Sequence, residues 1–285
     1  FGSRETKPPC GESDGMWQPP AATHLVLETG TSRVIVVGDV HGCFHELQAL
    51  LDKCRYSCEA DVVILLGDLV NKGPDSAKVV RFSRENGLHA IVGNHDLIAL
   101  AKWKTWKECA AIPPADENGN WSWLEELSEE DVAYLQQLPA TIRLPTYDLL
   151  LVHAGLVPHT SLRDQSLQDM VLMRNLITLE GATGSREARH DVVEGEPWAA
   201  EWSSCAAHGE LAEDLPRHVI FGHDAPRGLQ QYPFATGLDT NCCNGGFLTA
   251  MILPSEIVQV PALGRLFVVE DGSREWRATL DDELL

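Results

Sequence analysis

Three apolar stretches near the start of the sequence end in similar polar residues, and this repeated arrangement constrains the fold more than any other feature. The stretches are RVIVVGDV (33–40), DVVILLGD (61–68) and HAIVGNHD (89–96). Such aliphatic runs are typical of strands buried on both faces of a sheet. The intervening segments, FHELQALLDKCR and PDSAKVVRFSREN, space their apolar residues as amphipathic helices do. The alternation predicts an α/β core.

The polar residues at the strand ends form a candidate metal site, because ligands of open α/β sheets bind beyond the carboxyl ends of the strands. In two later segments, YDLLLVHAG (147–155) and HVIFGH (218–223), the apolar run is also followed by a histidine. A single histidine at such a place would usually be structural, but here the candidates recur in order: Asp39, His41, Asp68, Asn94, His95, His153 and His223. Mixed oxygen and imidazole ligands suit borderline divalent metals. Two ions about 3.5–4 Å apart and sharing one carboxylate would suit phosphate hydrolysis.

The blocks GDVHG, GDLVNKGP, GNHD, HAG and GH, in this order, resemble the calcineurin-like metallophosphatases of the phosphoprotein phosphatase superfamily. They are most similar to its ApaH-like branch, which resembles bacterial symmetrical diadenosine tetraphosphate hydrolases. The resemblance runs from about Val34 to Pro254 and implies an α/β fold, a β-sandwich of two mixed sheets flanked by helices. We interpret the later segments, including FLTAMILP and IVQVPA (247–262), as a second sheet that faces the first.

The resemblance also implies a role for each site residue. Asp39, His41 and Asp68 would hold one metal. Asp68, Asn94, His153 and His223 would hold the other, with Asp68 as the bridge. His95 matches the general acid, and Asp96 would orient its ring and stabilise the imidazolium. A hydroxide held by the metals would attack phosphorus directly, without a phosphoenzyme intermediate. Manganese is the expected metal, and iron, zinc or cobalt also suit these ligands.

Lys72 and Arg174 are the predicted phosphate-binding side chains. The family's protein phosphatases carry Asp-Arg where this chain has Asn71-Lys72, so a bidentate guanidinium is replaced by a compact ammonium. This difference favours the ApaH-like branch. In GLDTNCCNGG, Asn241 replaces a glycine of that branch, and asparagine tolerates a positive φ best among other residues. We expect Asp239 to be a structural partner of the metal-site histidines and Arg227 to be a surface residue.

The leading hypothesis is therefore hydrolysis of phosphoanhydrides in a nucleotide or polyphosphate substrate, with diadenosine tetraphosphate as the test case. The alternative is a protein Ser/Thr phosphatase, which shares the metal core and would use the acidic surface to attract basic phosphopeptides. RNA caps and inorganic polyphosphate rank lower as substrates. A non-catalytic binding module is disfavoured, because the full ligand set and the candidate acid are present.

The charge balance restricts the binding partners. The 42 acidic and 22 basic residues give a formal net charge of -20, which disfavours non-specific binding to nucleic acid. An anionic phosphorylated substrate must be recruited by a locally positive site. No apolar run approaches the roughly 20 residues of a membrane-spanning helix, so we expect no membrane insertion. The sequence does not indicate an oligomeric state.

The eight cysteines lack the spacing of a small disulfide framework, so we interpret most of them as buried free thiols of an intracellular, cytoplasmic protein. None is assigned a metal role. Residues 1–30 are rich in Pro, Gly and charge and are predicted to be a flexible leader, not a signal peptide. Residues 31–270 would form the metallophosphatase domain and 271–285 a tail. Helical insertions are predicted near 98–146 and 164–216. The first contains Trp103, Trp106, Trp121 and Trp123, which either pack on the sheet or stack on substrate.

Overall fold

The structure is a computed structural model and describes residues 22–116, 120–178, 186–268 and 274–278. The predicted leader therefore lies largely outside the described residues, as does most of the predicted tail. The strands are β1 (His24–Val26), β2 (Arg33–Val37), β3 (Asp61–Leu65), β4 (His89–Ala90), β5 (Thr141–Leu144), β6 (Leu149–Val152), β7 (Asn175–Thr178), β8 (Arg186–Arg189), β9 (Glu196–Pro197), β10 (His218–Phe221), β11 (Gln230–Tyr232), β12 (Ala235–Gly237), β13 (Phe247–Ile252), β14 (Glu256–Pro261), β15 (Gly264–Val268) and β16 (Arg274–Ala278). The helices are α1 (Phe44–Lys53), α2 (Ser76–Glu85), α3 (Asn94–Cys109), α4 (Glu129–Gln136), α5 (Leu167–Leu172) and α6 (Trp198–His208), and short 3-10 turns span Ser122–Glu126, Pro145–Tyr147 and Leu162–Asp164.

The predicted alternation of strand and helix is present from β2 to α3. Strands β2 and β3 pair in parallel along their full length, and β4 pairs in parallel with β3. The spacing of Leu47, Leu50 and Leu51 on α1 places all three in the core. The third strand is shorter than predicted, because α3 already begins at Asn94. The polar residues of GNHD therefore form the first turn of a helix.

Two mixed sheets form the body of the fold, as the sequence predicted. A five-stranded sheet has the order β14-β13-β2-β3-β4, and a six-stranded sheet has the order β1-β5-β6-β10-β12-β11. One prediction was wrong: β13 and β14 do not belong to the second sheet. β13 instead pairs antiparallel with β2, and β14 pairs with β13. The hairpin therefore extends the first sheet.

An apolar layer lies between the two sheets. Val34, Val36 and Ile64 from the first sheet share one buried cluster with Leu151 and Ile220 from the second. Each fully buried aliphatic side chain contributes about 1.5–3 kcal/mol. On the outer faces, α1 and α2 belong to one further buried cluster and α6 to another. This packing keeps the strand ends of both sheets at fixed positions.

The two predicted insertion ranges have different contents. Residues 98–146 include most of α3 and all of α4, which begins with a capping pair of Ser128 and Asp131, but they also include β5 of the six-stranded sheet. Residues 164–216 include α5, α6 and a small sheet of order β8-β7-β9. Trp121 is fully buried, and the other three tryptophans of the first range pack against the same cluster. These contacts favour the packing interpretation over substrate stacking.

None of the helices formed by the described residues is long and apolar enough to cross a membrane. Most of the described cysteines are free thiols: Cys43, Cys54, Cys58, Cys205, Cys242 and Cys243. Cys109 is disulfide-bonded and is an exception to the interpretation of most cysteines as free thiols.

Candidate active site

The loops that follow β2, β3 and β10 each contain a non-glycine residue with positive φ. These residues are His41 (φ 47°), Asp68 (φ 51°) and His223 (φ 63°). The left-handed region costs such residues on the order of 1–3 kcal/mol and persists only where surrounding contacts enforce it. Here the His41 N–H donates to the Asp68 carbonyl at 2.7 Å, and the His223 N–H donates to the Asp39 carboxylate at 3.0 Å. Mutual hydrogen bonds therefore hold the strained loops together.

Asp68 lies at the centre of the site. Its Oδ2 is 3.3 Å from His41 Nε2, and its Oδ1 is 3.4 Å from His153 Nε2. The carboxylate thereby belongs to two groups of possible metal ligands, one with His41 and His95 and the other with His153 and His223. All of these side chains are buried. The arrangement is what a carboxylate shared by two cations requires.

The backbone hydrogen bonds of His41 and His153 use Nδ1, so Nε2 of each ring faces the ligand cluster. Nδ1 of His41 lies 3.0 Å from the Val70 carbonyl, and Nδ1 of His153 lies 2.7 Å from the Leu66 carbonyl. Because a carbonyl only accepts, each Nδ1 carries the proton and each Nε2 presents a lone pair toward Asp68. Backbone partners of this kind commonly fix metal-binding imidazoles. The donor set therefore fits divalent metal ions.

The remaining predicted ligands border this centre. Both carboxylate oxygens of Asp39 accept from the His223 N–H, at 3.0 and 3.1 Å. Asn94 Oδ1 lies 3.1 Å from His153 Nε2. His223 Nε2 is 3.2 Å from the Leu172 carbonyl, which leaves its Nδ1 free to act as a ligand. The structure thus brings all six predicted metal ligands into one connected cluster.

The electrostatics of the cluster also favour cations. Burial, followed by the charge of Lys72, lowers the pKa of His41 well below its ordinary value, so the ring is neutral near pH 7. Burial and the nearby charges of Asp239 and Asp68 raise the pKa of Asp39 well above its ordinary value. Burial also opposes ionisation of Asp68. The positive charge that His153, His95 and His41 can carry outweighs this effect and lowers the pKa of Asp68. A divalent ion would relieve the repulsion among these buried carboxylates.

Glycines precede two of the site residues because no side chain fits there. A Cβ on Gly93 would collide with the carboxylate of Asp68, and a Cβ on Gly222 would collide with the carboxylate of Asp39. Gly93 of GNHD and Gly222 of GH are therefore required, because a carboxylate of the ligand cluster approaches each of them closely.

Asp96 accepts hydrogen bonds from three backbone N–H groups. Its Oδ2 accepts from the N–H groups of Asp68 and Gly93, both at 2.9 Å, and its Oδ1 accepts from the Leu69 N–H at 3.0 Å. Burial and the charge of Asp68 raise the pKa of Asp96 to about 8. Asp96 therefore fixes the loop that carries Asp68, and its action on the His95 ring stays a prediction.

Asn71 contacts the His95 ring, and sequence reasoning missed this role. The Asn71 Nδ2 lies 3.2 Å from His95 Nδ1. If the amide donates, the imidazole proton sits on Nε2. The only signal in the sequence was the position of Asn71 inside the GDLVNKGP block, where it was noted for its difference from aspartate and not for a contact. His95 and His41 also meet edge to face, with centroids 4.8 Å apart.

The two predicted phosphate-binding residues differ in their surroundings. Lys72 Nζ lies 2.8 Å from His41 Nε2, at the centre of the cluster. Arg174 uses Nη1 and Nη2 to donate to the carbonyls of His190 and His223, at 2.8 and 3.1 Å. The guanidinium of Arg174 therefore supports the His223 loop, and its contact with phosphate stays a prediction.

Asn241, Asp239 and Arg227 lie outside the predicted ligand set. Asn241 has a φ of 63°, as its place in the glycine position suggested. Asp239 accepts from the Asn241 N–H at 2.9 Å, so it caps its own turn. Arg227 was expected to be a surface residue, but its Nη1 donates to Asp224 Oδ2 at 2.6 Å and its side chain is only 21% exposed.

A third group of possible ligands lies behind the His41 loop and consists of Cys43, Glu46 and Cys242. A hydrogen bond between the two thiols, together with burial, raises the pKa of Cys43 well above its ordinary value. Glu46 accepts from the Leu263 N–H at 2.8 Å. The Cys43 thiol is therefore harder to deprotonate than an ordinary thiol.

Comparisons with known proteins agree with this geometry. The calcineurin-like phosphoesterase family matches residues 32–232. A symmetrical bis(5'-nucleosyl)-tetraphosphatase of Methylobacillus flagellatus is 29% identical over 79% of this chain and 94% of its own length. The protein of the same name from Actinobacillus pleuropneumoniae serotype 3 is 30% identical over 75% of this chain and 93% of its own length. A crystal structure provisionally described as a diadenosine tetraphosphatase is 35% identical, with a TM-score of 0.71 over 85% of this chain and 98% of that chain. A yeast protein serine/threonine phosphatase shares the fold at 16% identity and a TM-score of 0.52.

Proposed function

Because the chain belongs to the calcineurin-like phosphoesterase family, it is a metal-dependent phosphohydrolase, and we propose that it cleaves a phosphoanhydride bond of a dinucleoside polyphosphate such as diadenosine tetraphosphate. Relatives named for that activity match this chain along nearly their whole length. The observation that carries the proposal is the position of Asp68 between two imidazole groups, with Lys72 beside it.

The metal ligands of the proposal are the six predicted residues. His41, Asp39 and Asp68 would hold one divalent cation, and Asp68, Asn94, His153 and His223 would hold the second. When bound, the two ions would neutralise phosphoryl oxygens and lower the pKa of a water molecule between them. Manganese is our proposal for the ion, since it accepts carboxylate, amide and imidazole ligands together.

The chain's own side chains would supply the remaining steps. Lys72 would bind a non-bridging phosphoryl oxygen, because its ammonium already lies within the ligand cluster. As an imidazolium, with its Nδ1–H donating to the Asn71 amide oxygen after rotation of that amide, His95 would give its Nε2 proton to the oxygen of the leaving phosphate and become a neutral imidazole. Asp96 would keep the loop of Asp68 in place through its three backbone hydrogen bonds. These roles divide binding, proton transfer and positioning among separate residues.

The partner of His95 favours an anhydride over a phosphoserine. A neutral Asn71 amide stabilises an imidazolium less than a carboxylate would, so His95 is a weaker base when deprotonated and holds its proton less firmly. The oxygen that leaves from an anhydride belongs to a phosphate and is far more acidic than a serine hydroxyl. Little proton transfer is needed for such a leaving group. The pairing of Asn71 with His95 therefore suits nucleotide anhydrides.

Product analysis tests the proposal directly. Manganese-loaded protein should convert diadenosine tetraphosphate to ADP as its nucleotide product, because a symmetrical cut lies between the second and third phosphates. Replacing His95 or Asp68 with asparagine should abolish the conversion. A metal-loaded preparation that cleaves no anhydride, although it is folded, would contradict the proposal.

A further inference from the structure

An apolar slot lies between α3 and α5, beside the ligand cluster, with a volume of about 290 Å³. Leu97 and Ile98 of α3 form one wall, and Leu167 and Val171 of α5 form the opposite wall. Except for Val171, these side chains are only partly buried, so the slot opens to solvent. Two facing aliphatic walls are suited to a flat, uncharged ring.

The inner end of the slot is built by residues that contact the metal-site histidines. Asn94 lines the slot, and its Oδ1 is 3.1 Å from His153 Nε2. Leu172 also lines it, and its carbonyl is 3.2 Å from His223 Nε2. A nucleotide whose phosphates lie at the cluster would therefore place its sugar and base in or next to the slot.

The chemistry of the lining identifies the part of the substrate that fits. None of the described residues that line the slot is charged, so it offers nothing to a phosphate. Gln168 is exposed at the slot and presents an amide, with one acceptor and two donor hydrogens. Glutamine amides pair with the neighbouring donor and acceptor of an adenine edge. An apolar slot with one such amide matches a purine base.

We propose that the slot between α3 and α5 binds the purine base of the substrate nucleotide, with Gln168 contacting its hydrogen-bonding edge. This inference rests on the proposed function, because it places the nucleoside next to the phosphates that the cluster would hold. An apolar peptide side chain is the competing occupant. It would need aliphatic contact but no amide.

Equilibrium binding tests the slot without relying on turnover. Calorimetry on manganese-loaded protein would compare ADP with inorganic pyrophosphate, which has the same phosphate linkage but no base. We expect wild-type protein to bind ADP at least tenfold more tightly than pyrophosphate. The Leu167→Trp variant, which fills the slot, should lose most of this difference and keep its affinity for pyrophosphate.

Two further variants separate the slot from general damage to the fold. Gln168→Ala removes one exposed amide and should weaken ADP binding about three- to tenfold without changing pyrophosphate binding. Val26→Trp adds the same bulky side chain at a position that is 58% exposed on β1, and it should leave both affinities unchanged.

Three results would overturn the inference. They are equal wild-type affinities for ADP and pyrophosphate, unchanged ADP binding in both slot variants, and a phosphoserine peptide that loses affinity in Leu167→Trp while ADP does not. Failure of the proposed function is distinguishable, since it would appear as absent cleavage of diadenosine tetraphosphate by wild-type protein, whatever the binding data show.

Discussion

Replacing Asp96 separates its observed role in holding a loop from the role that the sequence suggested. The side chain is fully buried and accepts three backbone N–H groups, from Asp68, Leu69 and Gly93. Asp96→Ala would leave all three donors without a partner. A buried donor without an acceptor costs about 1–3 kcal/mol, so the three together cost roughly 3–9 kcal/mol. Total stabilities are typically about 5–15 kcal/mol, so this variant should be severely destabilised.

Asp96→Asn is the matched variant. Its single oxygen can take the place of Oδ2, which serves Asp68 and Gly93, so only the Leu69 donor is left without an acceptor. We expect a loss of about 1–3 kcal/mol. The free energies would be measured by urea denaturation in the presence of a chelator, followed by circular dichroism.

His95→Asn is the control, because it removes the ring that Asp96 was predicted to orient. It should abolish turnover with a loss of stability of no more than about 1 kcal/mol. The reasoning would be refuted if Asp96→Ala kept the stability of the wild type and lowered kcat as much as His95→Asn does. That result would mean that Asp96 acts mainly on the His95 ring, as the sequence predicted.

Three further predictions follow from the site. Lys72→Ala should lower kcat/KM for an anhydride about 100-fold or more, with unchanged stability, because it removes a cation from the developing charge; steady-state kinetics would show this. Asn71→Asp should raise the pKa assigned to His95 in the pH–rate profile by about one unit or more, because a carboxylate stabilises the imidazolium. Burial lowers the pKa of His41 and of His223 below 6.5 in the folded chain. The unfolded chain therefore binds protons first, and the unfolding free energy of chelator-treated protein should be unaffected by these groups above about pH 6.5 and fall below it, by up to about 1.4 kcal/mol per pH unit for each histidine. Denaturation at pH 5 and 7 would measure this fall. A variant with both His41→Asn and His223→Asn should lose the part of the pH dependence that these histidines contribute.

Local sequence was sufficient for the elements that carry the site. The aliphatic runs of β2 and β3 and the spacing of Leu47, Leu50 and Leu51 on α1 are short-range patterns, and burial follows from them. The ligands could be assembled because parallel strands end at one edge of a sheet.

Features that depend on distant partners were harder to predict. The pattern of β13 and β14 fits either sheet, and only the pairing of β13 with β2 decides between them. Asp96 adjoins His95 in the chain, but on the first turn of α3 its carboxylate faces the N–H groups of Asp68 and Leu69. Adjacency in sequence is a poor guide there, because neighbouring residues on a helix point in different directions.

The most direct test of the account compares diadenosine tetraphosphate with a phosphoserine peptide in one manganese-loaded preparation, with His95→Asn as the control. The account predicts that kcat/KM is at least 100-fold higher for the dinucleotide and that the control abolishes this turnover. A higher kcat/KM for the phosphopeptide, also lost in the control, would contradict it and identify a protein phosphatase in which Asn71 and Lys72 replace the usual aspartate and arginine.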